Sequence, residues 1–192
     1  MARIACFITH PDVLMDPAVP VPDWPLSPRG RARMARAPAQ PWAGDLRAVW
    51  CSKERKARDG AAILAGPLGL PVAALAELGE NDRSATGYLP REEFEAVADA
   101  FFARPERSVR GWERAVDAQR RIVAAVDRVL LACPAGDVAI VSHGGVGTLL
   151  LCHSRGCPIG REHDQPPDSG GNYYALDAVG RRLLHGWKPI DG

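Results

Sequence analysis

The stretch Val138-Ala139-Ile140-Val141-Ser142-His143-Gly144-Gly145-Val146-Gly147-Thr148-Leu149 constrains this chain most. Its opening residues are apolar or small and do not alternate, the pattern of a strand buried on both faces. Ser142, His143 and two glycines break the run, and apolar residues of helical character resume from Val146 to Cys152. The segment therefore reads as a strand, a tight glycine turn and a helix N-terminus. Free backbone N–H groups and a partial positive charge at such an N-terminus suit an anion such as phosphate. His143 falls at the carboxyl end of the strand, where open α/β sheets place their ligands.

The rest of the chain alternates in the same way. Arg3 to Thr9 reads as a short buried strand that His10-Pro11 ends, since a residue before proline avoids the helical region. Pro17, Pro20, Pro22, Pro25 and Pro28 make a stiff extended segment, pinned to the body by Trp24 and Leu26. Ser27-Pro28 is a helix cap and first position, opening a helix to about Arg36. Leu46 to Cys51 is a second strand. Ser52 then caps a helix from about Lys53 to Ala65, ended by Gly66-Pro67. Pro71 to Leu75 is a third strand, with Glu77 in the polar loop after it. Helices follow over Arg91–Ala103 and Gly111–Ala132, and a loop rich in proline, glycine and charge covers 156–172. Tyr173–Asp177 and Arg182–Trp187 form a terminal hairpin. The alternation predicts one domain over residues 1–192: an α/β fold of three layers, α/β/α, its central sheet mostly parallel.

Composition narrows the function. A formal charge of +1 provides no global field for nucleic acid or an acidic membrane. No apolar run approaches the ~18–20 residues of a membrane span. Five scattered cysteines with no C-x-x-C pair suggest reduced thiols and a cytoplasmic location. Cys152 and Cys157 lack a second pair for a zinc site, and His153, His163 and His185 show no mutual metal spacing. No metal and no cofactor are therefore expected. Two histidines, His10 and His143, end strands that would neighbour each other at the centre of a doubly wound sheet, so both rings can face one crevice.

These residues together resemble the histidine phosphatase superfamily, the group that includes the cofactor-dependent phosphoglycerate mutases. Val141-Ser142-His143-Gly144-Gly145-Val146 is similar to its second-histidine motif. Leu26-Ser27-Pro28-Arg29-Gly30 resembles its Leu-Ser/Thr-x-x-Gly segment. Cys51 to Asp59 resembles its serine-rich strand end, and Leu75-Ala76-Glu77 its general-acid motif. The order agrees from residue 3 to about 155. The usual Arg-His-Gly of the first motif reads Thr9-His10-Pro11 here, so the phosphate-clamping arginine is missing. The second phosphate-binding arginine falls on Lys56, and an asparagine of the family falls on Asp16.

The resemblance implies a metal-independent phosphomonoester phosphatase that works through a phosphohistidine. His10 is then the nucleophile, His143 a donor to the phosphate oxygens, and Glu77 the general acid, with Glu80 and Asp82 as close competitors. Lys56, Thr9, Gly144 and Arg83 are the expected substrate-binding residues, Arg83 reaching in for the lost arginine. The partner is a small phosphorylated substrate, and a dimer is compatible with the sequence. Mutase-type transfer needs more basic groups than the first motif retains. The other reading, favoured by the missing arginine, is a weak or inactive member that binds a phosphorylated ligand or a protein.

Overall fold

The computed structural model describes residues 3–192. Six strands form one sheet: β1 (Ile4–Thr9), β2 (Leu46–Cys51), β3 (Val72–Ala74), β4 (Asp137–Ser142), β5 (Asn172–Asp177) and β6 (Leu183–Pro189), in the order β3-β2-β4-β1-β5-β6. The first four run parallel, and β5 and β6 form the antiparallel hairpin at one edge. Five helices complete the fold: α1 (Pro28–Met34), α2 (Arg55–Leu68), α3 (Arg91–Ala103), α4 (Ala115–Ala132) and α5 (Gly144–Arg155).

β1 and β4 are continuous apolar runs because both their faces are covered. On one side, Phe7, Ile140 and Tyr174 pack with α3, α4 and α5 residues such as Phe101, Ile122 and Leu149. On the other, Ile8, Val49 and Val141 pack with Met34 of α1 and Ala57, Ala61 and Leu64 of α2. The layers are thus α/β/α, as the alternation predicts.

Boundaries shift where a cap or a turn decides them. The Ser27 hydroxyl accepts from the Gly30 amide at 3.0 Å and starts α1 at Pro28 as expected. α2 does not stop at Gly66-Pro67. Pro67 sits in the last turn, where little ladder remains to be broken, and the helix ends at Gly69, whose φ of 64° is left-handed. The Leu70 amide then returns to the Ala65 carbonyl, closing the helix end. α4 begins at Ala115 rather than Gly111, because Arg110 and Gly111 both have positive φ and turn the chain before it. Trp24 and Leu26 are buried and do pin the proline-rich segment, the Trp24 indole N–H donating to the Asp16 and Val19 carbonyls.

Register carries this architecture to the histidines. Thr9 pairs with Ser142 across β1 and β4, and the His10 amide donates to the Ser142 carbonyl at 3.0 Å. The next residue on each strand is a histidine.

Candidate active site

His10 and His143 leave their strands side by side, with ring centroids 5.1 Å apart and planes at 71°. His10 Nδ1 lies 2.9 Å from the Pro11 carbonyl. A carbonyl only accepts, so Nδ1 holds the hydrogen and Nε2 keeps its lone pair. Burial, and then His143, push the His10 pKa down to about 3, against a smaller upward pull from the Pro11 carbonyl. The ring is therefore a neutral imidazole with one basic nitrogen, the form a nucleophile requires.

His143 is fully buried as the N-cap of α5. Its Nε2 lies 2.7 Å from the Ser52 hydroxyl and 3.3 Å from Glu54 Oε1. Nδ1 is buried without a hydrogen-bond partner among the described residues. Burial lowers the His143 pKa and outweighs the opposing pull of Glu54 and Glu80. A donor role toward an anion must use Nδ1, since Nε2 is already engaged.

The carboxylates are arranged differently from the sequence expectation. The turn at Ala76–Leu78 buries Leu78 and sends Glu77 outward, where it pairs with Arg128 of α4 at 2.7 Å. Glu77 is not brought to the histidines. Glu80, three residues on, is. Its carboxylate accepts from the Gly145 and Val146 amides at 3.1 and 2.9 Å, directly behind His143. The N-terminus of α5, expected to receive phosphate, thus holds this carboxylate on two of its amides. Asp82 is turned away, accepting from the Ser84 amide.

Lys56 is buried, but its ammonium is held by Glu54 Oε2 at 2.5 Å and by the Val21 carbonyl at 2.8 Å. Its charge neutralises Glu54 instead of lining the cleft as a free phosphate contact. Burial would raise the Glu54 carboxyl, but His143 and Lys56 hold it down to about 2. Asp16 accepts from the Ala18 amide and lies exposed, away from the histidines. Arg83 does reach the site, its guanidinium stacked over Phe94 and Trp112 at 5.1 and 5.6 Å from their centroids. Thr9 is buried, its hydroxyl 2.6 Å from Gln165 Oε1.

A cleft of about 740 Å³ contains His10, Gly144, Gly145, Glu80 and Arg83, walled by Phe94, Phe101, Phe102 and Trp112. A second cleft of about 710 Å³ lies beyond Glu80, Asn81 and Arg83, against the 17–22 segment. Sequence reasoning missed Glu54 and Gln165. The signal for Glu54 was its place two residues from both Ser52 and Lys56. Gln165 carried none, being a loop residue without periodicity.

Away from the clefts, Cys152, Cys157 and His163 place ligand atoms within 4.8 Å of one another, a convergence their spacing did not reveal. Arg155 already directs its guanidinium to His163 Nδ1 at 3.4 Å, so a cation stands at the edge of that group. No helix of the described residues is long and apolar enough to cross a membrane.

Comparison with known structures agrees with this architecture. A protein known as YhfR from Bacillus stearothermophilus superposes with a TM-score of 0.80 at 22% identity, covering 96% of this chain and 95% of that one. A mycobacterial glucosyl-3-phosphoglycerate phosphatase, in complex with inorganic phosphate, gives 0.80 at 20% identity over the full length of both. The alpha-ribazole phosphatase of Shigella flexneri gives 0.69 at 18% identity, over 98% of this chain and 96% of that one. No curated protein sequence matches significantly. The family model for histidine phosphatase superfamily, branch 1, matches residues 18–173, a span that includes Lys56, Arg83 and His143 and starts after His10. With the fold and most of its length so matched, the chain belongs to the histidine phosphatase superfamily, branch 1.

Proposed function

We propose that the protein is a phosphomonoester phosphatase that works through a phosphohistidine on His10. One observation carries this reading: His10 Nδ1 donates to the Pro11 carbonyl, which leaves a neutral ring with Nε2 basic, in a cleft shared with Glu80 and with the His143 ring 5.1 Å away. Phosphatases among the structures of the same fold support it. His10 Nε2 forms the bond to phosphorus as the bond to the leaving oxygen breaks. Glu80 gives that oxygen its proton. Water then attacks phosphorus, Glu80 takes the water's proton, the phosphorus–nitrogen bond breaks, and phosphate leaves. Arg83 lines the cleft and meets the developing charge on the phosphoryl oxygens, and the unpartnered His143 Nδ1 is the second donor. The charge is met by side chains, so activity survives a chelator, and a strict need for added divalent metal points to another chemistry.

Acid-quench trapping of labelled phosphoenzyme tests the nucleophile. His10→Ala abolishes both turnover and label, and full activity in that variant ends the proposal. The acid is tested with two leaving groups. Glu80→Gln slows an alkyl phosphate far more than p-nitrophenyl phosphate, because only the poor leaving group needs the proton. Glu77→Gln leaves both rates near wild type, and the reverse pattern restores Glu77 to the role.

A second reading has its own observation. Glu80 sits on two amides of the α5 N-terminus and Lys56 is tied to Glu54, so less positive charge faces the histidines than the resemblance implies. A member that binds a phosphorylated ligand without turnover fits this, and phosphate binding with no phosphoenzyme is its signature.

A further inference from the structure

The structure holds no arginine at the position before His10, yet a fixed donor stands beside that gap. Gln165 comes from the loop between α5 and β5 and lines the same cleft as His10 and Gly144. The orientation of its amide follows from a chain of contacts. The Asp168 carboxylate can only accept, so the Asn172 group 2.9 Å from it is the Nδ2 amine. That amine also lies 3.3 Å from Gln165, so the Gln165 atom facing it is the oxygen. The Thr9 hydroxyl, which accepts from the Asn172 amide, donates to the same oxygen at 2.6 Å. Oε1 is thus held by two donors. Nε2 is left pointing over the start of α5, and a Cβ on Gly144 would lie only 2.5 Å from it. It has no acceptor among the described residues.

We propose that Gln165 is a substrate-binding residue, whose Nε2 donates to an oxygen of the reacting phosphate in the place of the missing arginine. The inference rests on the phosphatase reading above. It explains three features together. Thr9, at the position of the family's arginine, spends its hydroxyl on aiming the amide. Gly144 has no side chain because one would displace Nε2. Asn172 is buried so that its amine fixes the oxygen. The phosphate is then held by a neutral, oriented donor, which supplies direction without the charge of a bidentate guanidinium.

Calorimetric binding of inorganic phosphate, with p-nitrophenyl phosphate kinetics alongside, tests this in the intact protein. Gln165→Leu weakens phosphate binding and raises KM by about 10- to 100-fold, the usual effect of losing a hydrogen bond to a charged group, and melts lower because Thr9 and Asn172 lose an acceptor that Gln165→Glu keeps. Gln165→Glu places a carboxylate against the phosphate and loses more. Thr9→Val releases the amide and lowers affinity, while Thr9→Ser keeps the hydroxyl and restores it. Wild-type affinity in Gln165→Leu or Gln165→Glu overturns the role of Gln165 and leaves the phosphatase reading standing. A wild-type protein that neither binds phosphate nor turns over the ester overturns that reading, and this inference with it.

Discussion

At the residue scale, His10 is held uncharged in a place where free histidine is half protonated near pH 6.5. Burial brings its folded pKa to about 3. Below pH 6.5 the unfolded chain binds this proton and the folded one does not, so stability falls with pH until the folded value is reached. Between about pH 7.5 and about pH 5 this one group removes about 2 kcal/mol of folding stability. Urea unfolding at both pH values checks it: His10→Gln loses that much less than wild type on acidification. Equal losses mean that the ring is not kept neutral. The same ring was legible in the sequence only through its pairing with His143, two histidines at neighbouring strand ends beside a glycine turn, and through the resemblance those residues carry. Glu80 was not. Whether residue 77 or 80 faces inward depends on the turn at Ala76–Leu78, whose rotation no hydrophobic period announces. Lys56 was placed correctly on its helix, but its pairing with Glu54 depends on how the chain enters α2, not on spacing alone.

At the element scale, the loop from Gly160 to Gly171 closes one side of the cleft and rests on the end of β1. Gly170 has φ of 77°, and a Cβ there would lie 2.3 Å from the His10 carbonyl oxygen. Gly156 ends α5 with φ of 67°, and a Cβ there meets nothing within 4 Å. Alanine at either position strains the backbone by about 1–2 kcal/mol. Gly170→Ala also pushes the loop off His10. Both variants therefore melt lower, but only Gly170→Ala loses activity on p-nitrophenyl phosphate, and equal activity in the two refutes the contact. Strands and the long helices α3 and α4 follow the periodicity closely, because packing on a sheet imposes that period. The run of α2 through Pro67 was hidden, since proline near a helix end and proline after it look the same in sequence.

At the scale of the whole molecule, Arg33 joins distant parts of the chain. Its guanidinium donates to the Gly170 and Gly171 carbonyls and pairs with Asp191 at 3.2 Å, with only 12% of the side chain exposed. α1, the cleft loop and the residues after β6 are thereby fastened at one point. Arg33→Met leaves Asp191 without the cation that pairs with it and costs about 3 kcal/mol, read as a lower urea midpoint. Because the Gly170 anchor goes too, activity falls below what the stability loss explains at temperatures far under the melting point. A variant with wild-type midpoint and rate shows that the junction carries no load. The three-layer fold needed no such detail to be foreseen, since alternating strands and helices leave few other solutions.

The pairing of Thr9 with Ser142 has a consequence for what this scaffold can tolerate. The two rings are spaced by the rung of a ladder in the middle of the sheet, not by the loops that surround them. Amide protons of Phe7, Ile8, Ile140 and Val141 should therefore exchange among the slowest in the protein, while those of the 160–171 loop exchange early. Loops can lengthen, change composition or swing aside, and the distance between the two imidazoles stays where the backbone put it. A chain built this way can rewrite the rim of its cleft and never disturb the spacing of its two strand-end rings.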